Sequence, residues 1–402
     1  MFYKPGIEYF YKQPITKNNK TLWYFILILV VLVASVVGIV YLVISLISHE
    51  ADGPEWQGYF SPGSGLCSVN GDYYMIADGQ GYRFDGDSLE PAAAFDAEGK
   101  LAGTLSADSE QLYILGFEEN TLYFYSRGLN DTEWKRMGEI CQMKDADKSR
   151  AEAFYHRGYL YAETYDETAE PYLSAVYRIR ADGKKKAECI RDSSAGFVES
   201  MGPAGMQASG DHLIVDSYDL RQKNSRFFLQ DYTKVGKQRV RELSSTFDAS
   251  YCLAGEELYQ VLEVTETDRE LSGDGGVLIE AGKRVLTRVN ISEDADPLQY
   301  FKLLDENEEF GNDPRISWDG KYLYIDNRGT GLESGQRKIF IYTQDGKRIN
   351  EIPVERRDAE CCFGDDRYLI LRDGNQALFW DKKQAGNGAG QNVWKEVDIG
   401  KR

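Results

Sequence analysis

One unit recurs from Leu66 to the end of the chain. A turn residue, usually Gly or Asp, leads into an apolar-aromatic strand. Examples are Gly71-Asp72-Tyr73-Tyr74-Met75-Ile76, Gly210-Asp211-His212-Leu213-Ile214-Val215 and Asp319-Gly320-Lys321-Tyr322-Leu323-Tyr324. Aligned on Tyr74, Leu112, Leu160, Leu213, Leu258, Leu323 and Leu369, the copies are 38, 48, 53, 45, 65 and 46 residues apart. The mean of about 49 falls in the range of propeller blades.

A second strand recurs within each unit. Tyr177-Arg178-Ile179-Arg180-Ala181-Asp182-Gly183-Lys184 matches Phe340-Ile341-Tyr342-Thr343-Gln344-Asp345-Gly346-Lys347, with weaker copies at Tyr123-Phe124-Tyr125, Phe227-Phe228-Leu229 and Leu378-Phe379-Trp380. Asp-Gly between alternating runs signals a hairpin, because the turn needs a positive φ that these residues tolerate. Each unit therefore supplies about four short antiparallel strands. One small sheet cannot bury both its faces, but sheets stacked radially can, and they leave few open edges. The expectation is an all-β propeller over residues 66–400. Seven blades of four strands fit best, with six or eight also allowed because the 65-residue step can hide an insertion. The segment Leu262 to Leu278 is the place for it.

Ahead of the repeats lies Leu22 to Ile47, 26 residues without a charged side chain. At about 1.5 Å of rise per residue, about 20 apolar residues cross a bilayer core, so this run predicts a transmembrane helix. Lys4, Lys12, Lys17 and Lys20 precede it, while Glu50, Asp52 and Glu55 follow it. Basic residues stay on the cytoplasmic side, which makes residues 1–21 a cytoplasmic tail and exports the C-terminal part. The apolar run exceeds the 7–15 residues of a cleaved leader, so an uncleaved single-pass signal anchor in the cell membrane is expected. Residues 48–65, with Gly53, Pro54, Ser61, Pro62 and Gly63, read as a short connector.

Residues 1–48 carry a net +3, so residues 49–402 hold −21 of a chain total of −18. Such an extracytoplasmic domain is repelled by nucleic acid and by bare anionic lipid, which excludes both as partners of the exported part. Three histidines in 402 residues leave little material for histidine-centred catalysis or metal binding. The acidic runs Asp305-Glu306-Asn307-Glu308-Glu309 and Glu293-Asp294-Ala295-Asp296 lack the spacing of a calcium loop and read as solvated charge. No nucleophile elbow, phosphate loop, His-Glu-x-x-His or Cys-x-x-Cys is present, and no catalytic residue, cofactor or metal ligand stands out.

Cys361 and Cys362 sit just before Gly364, as Cys67 sits just before Gly71. First and last blades must meet to close a ring, so a disulfide from Cys67 to Cys361 or Cys362 is one reading; three buried thiols are the other.

Trp318-Asp319-Gly320-Lys321-Tyr322-Leu323-Tyr324 resembles the repeat of bacterial TolB-like and WD40-like β-propellers, including membrane-anchored repeat proteins of Gram-positive bacteria. The resemblance spans residues 66–400 by period but only two or three units by letter, and it implies a fold without a subfamily's activity. Prolyl peptidases pair a propeller with a hydrolase domain, for which the chain is expected to leave no room. The leading functional expectation is a membrane-tethered scaffold that presents a propeller to a protein, peptide or cell-wall glycan. The alternatives are a glycan-active enzyme with carboxylates in the funnel, and a sensor or assembly subunit of a membrane complex.

Overall fold

The computed structural model describes residues 24, 26–36, 39, 65–77, 79–96, 101–166, 168, 173–192, 197–198, 206–209, 212–219, 227–231, 239–244, 250–264, 281–290, 302–307, 309–311, 313–328, 336–356, 359–362, 364–365, 367–386 and 393–399. The chain divides into two compact units, Met1–Asp52 and Gly53–Arg402.

In the first unit, Tyr24, residues 26–36 and Ile39 are helical. Their apolar side chains, Leu27, Leu29, Val31 and Val33 among them, are all exposed. The Ser35 hydroxyl donates back to the Val31 carbonyl at 2.7 Å, so the helix satisfies its own polar group. The expected span over 22–47 lies partly outside the described residues, as do the tail and nearly all of the connector. Among the described residues, no helix is long and apolar enough to cross a membrane.

The second unit is built from strands, which form seven antiparallel sheets among the described residues. Sheet I covers 66–96, sheet II 101–142, sheet III 149–192, sheet IV 197–244, sheet V 250–306, sheet VI 315–353 and sheet VII 360–398. Six have four strands paired in chain order. Sheet IV has five, because Phe197–Val198 and Met206–Ser209 both pair with one side of His212–Asp219. Six of the seven residues aligned in the sequence lie in the second strand of their sheets, and Leu213 lies in the third of sheet IV's five. Leu262 and Glu263, the start of the expected insertion, are strand residues, and residues 265–280 lie outside the described residues.

A shared device fixes the turn into that second strand. Asp108 accepts the backbone N–H groups of Glu110 and Gln111 at 2.8 and 2.7 Å, and the Tyr113 hydroxyl at 2.6 Å. Asp319 does the same with Lys321, Tyr322 and the Tyr324 hydroxyl. Burial and the neighbouring carboxylate push both phenols far above their ordinary range, so they remain donors. In the last copy the phenol position is Ile370, and Asp365 takes the hydroxyl of Tyr73 from sheet I instead, at 2.6 Å. One missing tyrosine thereby ties residues 292 positions apart.

Around that contact the first and last sheets share a core of Leu66, Tyr73, Met75, Tyr368, Ile370 and Phe379. Tyr73 meets the Phe379 ring edge-on at 5.2 Å, and Arg372 donates to the Ile76 carbonyl at 2.8 Å. Further clusters join sheets I and II, II and III, V and VI, and VI and VII.

Two of the Asp-Gly turns, at Gly183 and Gly346, abut a neighbouring sheet. Gly346 has φ +86°, and a Cβ there would come within 2.6 Å of Leu304 in sheet V. Gly346→Ala therefore strains the backbone and crowds the interface together, and is expected to cost about 1–3 kcal/mol in urea unfolding. Gly374→Ala also has positive φ but open space, so it is expected to cost less.

Candidate functional site

Leu66–Val69 packs on Leu101–Ala107 and that strand on Ser149–His156, and in the same way Met206–Ser209 packs on Ser250–Ala254 and that strand on Arg315–Trp318. They are therefore the innermost strands and form the wall of the funnel. Ser68, Ser106, Arg150, Glu152, Ser250 and Arg315 are polar side chains on that wall that keep some exposure. Glu152 is the one carboxylate among the described side chains of these strands.

Strand alternation decides what surrounds it. Ala151 and Ala153 turn into the core shared with sheet II, so Arg150, Glu152, Phe154 and His156 occupy the other face. Directly across the ladder, Glu152 pairs with Glu163, Phe154 with Tyr161, and Arg150 with Tyr165. Phe154 and Tyr161 stack at 5.8 Å. Glu163 is only 1 % exposed and accepts the Tyr165 hydroxyl at 2.6 Å. Burial beside these groups pushes the Glu152 carboxyl up to about 7, with Arg150 pulling the other way. At neutral pH Glu152 is thus divided between a hydrogen-bond donor and an anion. It can bind a cation or a hydroxyl, or exchange a proton.

Cys67 is a free, buried thiol. It packs with Tyr74, Ile76, Leu105 and Leu112 between sheets I and II, whereas its neighbour Leu66 faces sheet VII. The strand Glu360–Cys362 forms the first strand of sheet VII, but the side chains of Cys361 and Cys362 lie outside the described residues. In the first acidic run, Asp305 accepts the Tyr342 hydroxyl at 2.8 Å, and Glu309 pairs with Lys338 and Arg348. The second run lies outside the described residues. Among the described residues, no group of three or more His, Cys, Asp or Glu side chains could hold a metal ion.

Two buried ion pairs escaped the sequence reading. Lys382 bridges sheets VI and VII, pairing with Asp319 at 2.7 Å. Burial alone would raise the Asp319 carboxyl; the Lys382 ammonium and the hydrogen bonds it accepts outweigh that and hold it low. Arg337 clasps Asp326 with both at most 5 % exposed. Glu152 itself left only a weak signal: it is a carboxylate between Ala151 and Ala153, in a strand that also carries Arg150 and His156.

No family model matches the chain, and no curated protein matches it. Solved structures do. A prolyl endopeptidase aligns with TM-score 0.53 and 12% identity over 89% of this chain and 52% of its own. The fold is β-propeller-like. The chain spans about half the length of that enzyme. An uncharacterized Listeria monocytogenes protein aligns with TM-score 0.48 and 10% identity over 86% of this chain and 95% of its own. BamB from Moraxella catarrhalis aligns with TM-score 0.37 and 10% identity over 79% and 92%.

Proposed function

We propose that this chain is a membrane-tethered extracytoplasmic binding scaffold, a seven-bladed propeller of the bacterial anchored type that holds a protein, peptide or cell-wall glycan. Closure of the ring supports it most directly: the Tyr73–Asp365 bond and the core shared by sheets I and VII make a rigid platform whose loops and funnel wall are held in fixed positions. The exposed apolar side chains of residues 26–36 support the tether, because such a stripe is costly in water and at home in lipid. The test is protease added to intact cells that carry the chain with a tag at each end. The C-terminal tag is expected to disappear while a fragment bearing the N-terminal tag survives. A C-terminal bulk left untouched until the cells are lysed would overturn the sidedness.

Glu152 favours a second reading, an enzyme acting on extracellular glycans. A carboxyl that titrates near neutrality in a funnel suits general acid catalysis, and some glycosidases use two carboxylates. Glu163, its cross-strand partner, is sealed at 1 % exposure and bonded to Tyr165, out of a substrate's reach. That geometry ranks binding ahead of hydrolysis. Hydrolysis of a cell-wall glycan by the full chain, abolished in Glu152→Gln, would reverse the ranking.

A further inference from the structure

Arg127 stands at the margin between sheets I and II, far along the third strand of sheet II, Thr121–Gly128. It is 8 % exposed, and its guanidinium lies 4.5 Å over the Phe95 ring, which belongs to the outermost strand of sheet I. Phe95 is itself held in an aromatic row, with Tyr74 at 6.4 Å and Trp134 at 6.3 Å. The Trp134 indole N–H donates to the Asp96 carbonyl at 2.6 Å and so anchors the row.

Stacking occupies one face of a guanidinium, but its N–H bonds point outward in the plane, toward the edges. At Arg127 two of these donors lack a partner: Nε and Nη1 are both buried and neither has an acceptor. Asp131 is close enough for its charge to act on Arg127, yet it lies on a short turn and pairs with Lys135 at 3.9 Å. An arginine cannot shed its proton to escape burial, and the ring quadrupole offsets only part of what is lost on leaving water. A cation kept in this state is a half-built anion site, with a pre-set aromatic wall and donors that lack a partner.

We propose that Arg127, with Phe95 and Trp134, forms a binding site for an organic carboxylate at the seam of sheets I and II. The carboxylate oxygens accept from the guanidinium edge, and the carbon skeleton lies along the partly exposed Trp134 ring. The site is remote from the funnel wall and independent of the scaffold reading, so either can fail alone.

The experiment is calorimetry and thermal melting of the full chain in detergent, with sodium glucuronate as probe and inorganic phosphate as comparison. The unmodified chain is expected to bind glucuronate and melt higher as its concentration rises. Arg127→Met is expected to weaken that binding by about tenfold or more and, without ligand, to melt no lower than the unmodified chain. Arg127→Lys should lose most of the affinity, since an ammonium cannot present the planar edge. Three outcomes overturn the proposal. They are glucuronate binding that is absent from the unmodified chain or undiminished in Arg127→Met; phosphate binding as tight as that of glucuronate; and a ligand-free Arg127→Met that melts well below the unmodified chain, which would make Arg127 a packing element on Phe95.

Discussion

At pH 8, Glu152→Gln is expected to be more stable than the unmodified chain by about 3 kcal/mol, an advantage that vanishes by pH 4. The folded carboxyl titrates near 7 where the unfolded one titrates near 4.5, so the folded state holds its proton more tightly. The native state therefore binds more protons between those values, and stability falls as pH rises through that window. Below about 4.5 both states are protonated and the term is fully favourable; above about 7 both are ionised and the whole difference has been lost. Glutamine is neutral throughout and similar in shape, so the variant's profile should lack this slope. Urea unfolding at half-unit steps from pH 4 to pH 8 gives the comparison, with the variant-minus-parent difference isolating Glu152 from other titrating groups. A difference that stays flat over the range would mean that Glu152 is solvated in the folded protein, and the funnel site would lose its distinctive chemistry.

What the sequence made legible follows from range. The Asp-Gly turns and alternating apolar runs are local, and they placed one inner strand in each of the seven sheets and the hairpins at Gly183 and Gly346. Closure depends on partners hundreds of residues apart. That Asp365 borrows its phenol from Tyr73 shows only once Ile370 is seen to fill the position where Tyr113 and Tyr324 stand in other sheets. The cysteine reading left two outcomes open, a ring-closing disulfide and three buried thiols, because proximity in the repeat does not fix proximity in space. On a strand, Cys67 and Leu66 point oppositely, and it is Leu66 that faces sheet VII. Glu152 and Arg127 were present in the letters but had no meaning before the strands were ordered. The same glutamate on an outer strand would be an ordinary solvated charge, and on the funnel wall its solvation is curtailed. The buried Asp–Arg and Asp–Lys pairs are likewise invisible without the packing of sheets VI and VII.

Asp326→Ala is expected to destabilise the propeller by about 3–5 kcal/mol, the largest loss of any single change considered. Asp326 is fully buried and Arg337 is 5 % exposed. The guanidinium meets the carboxylate at 3.0 Å from Nε and 2.7 Å from Nη2, while Nη1 donates to the carbonyls of Arg356 and Ala359. The arginine therefore pins the passage from sheet VI to sheet VII as well as neutralising the aspartate. Removing the carboxylate leaves a permanent cation buried without its counter-charge, and removing the guanidinium in Arg337→Met leaves a buried anion and two carbonyls without their donor. Each single variant should cost heavily. The double variant Asp326→Ala, Arg337→Met buries no charge, so it should unfold far later than the sum of the two losses implies, with several kcal/mol of coupling. Urea unfolding of the four chains at pH 7 measures that coupling directly. Additive losses would mean that the two charges reach water in the folded state. A double variant as stable as the parent would mean that the pair is retained for specifying how sheets VI and VII join, because hydrophobic burial alone would then hold them equally well.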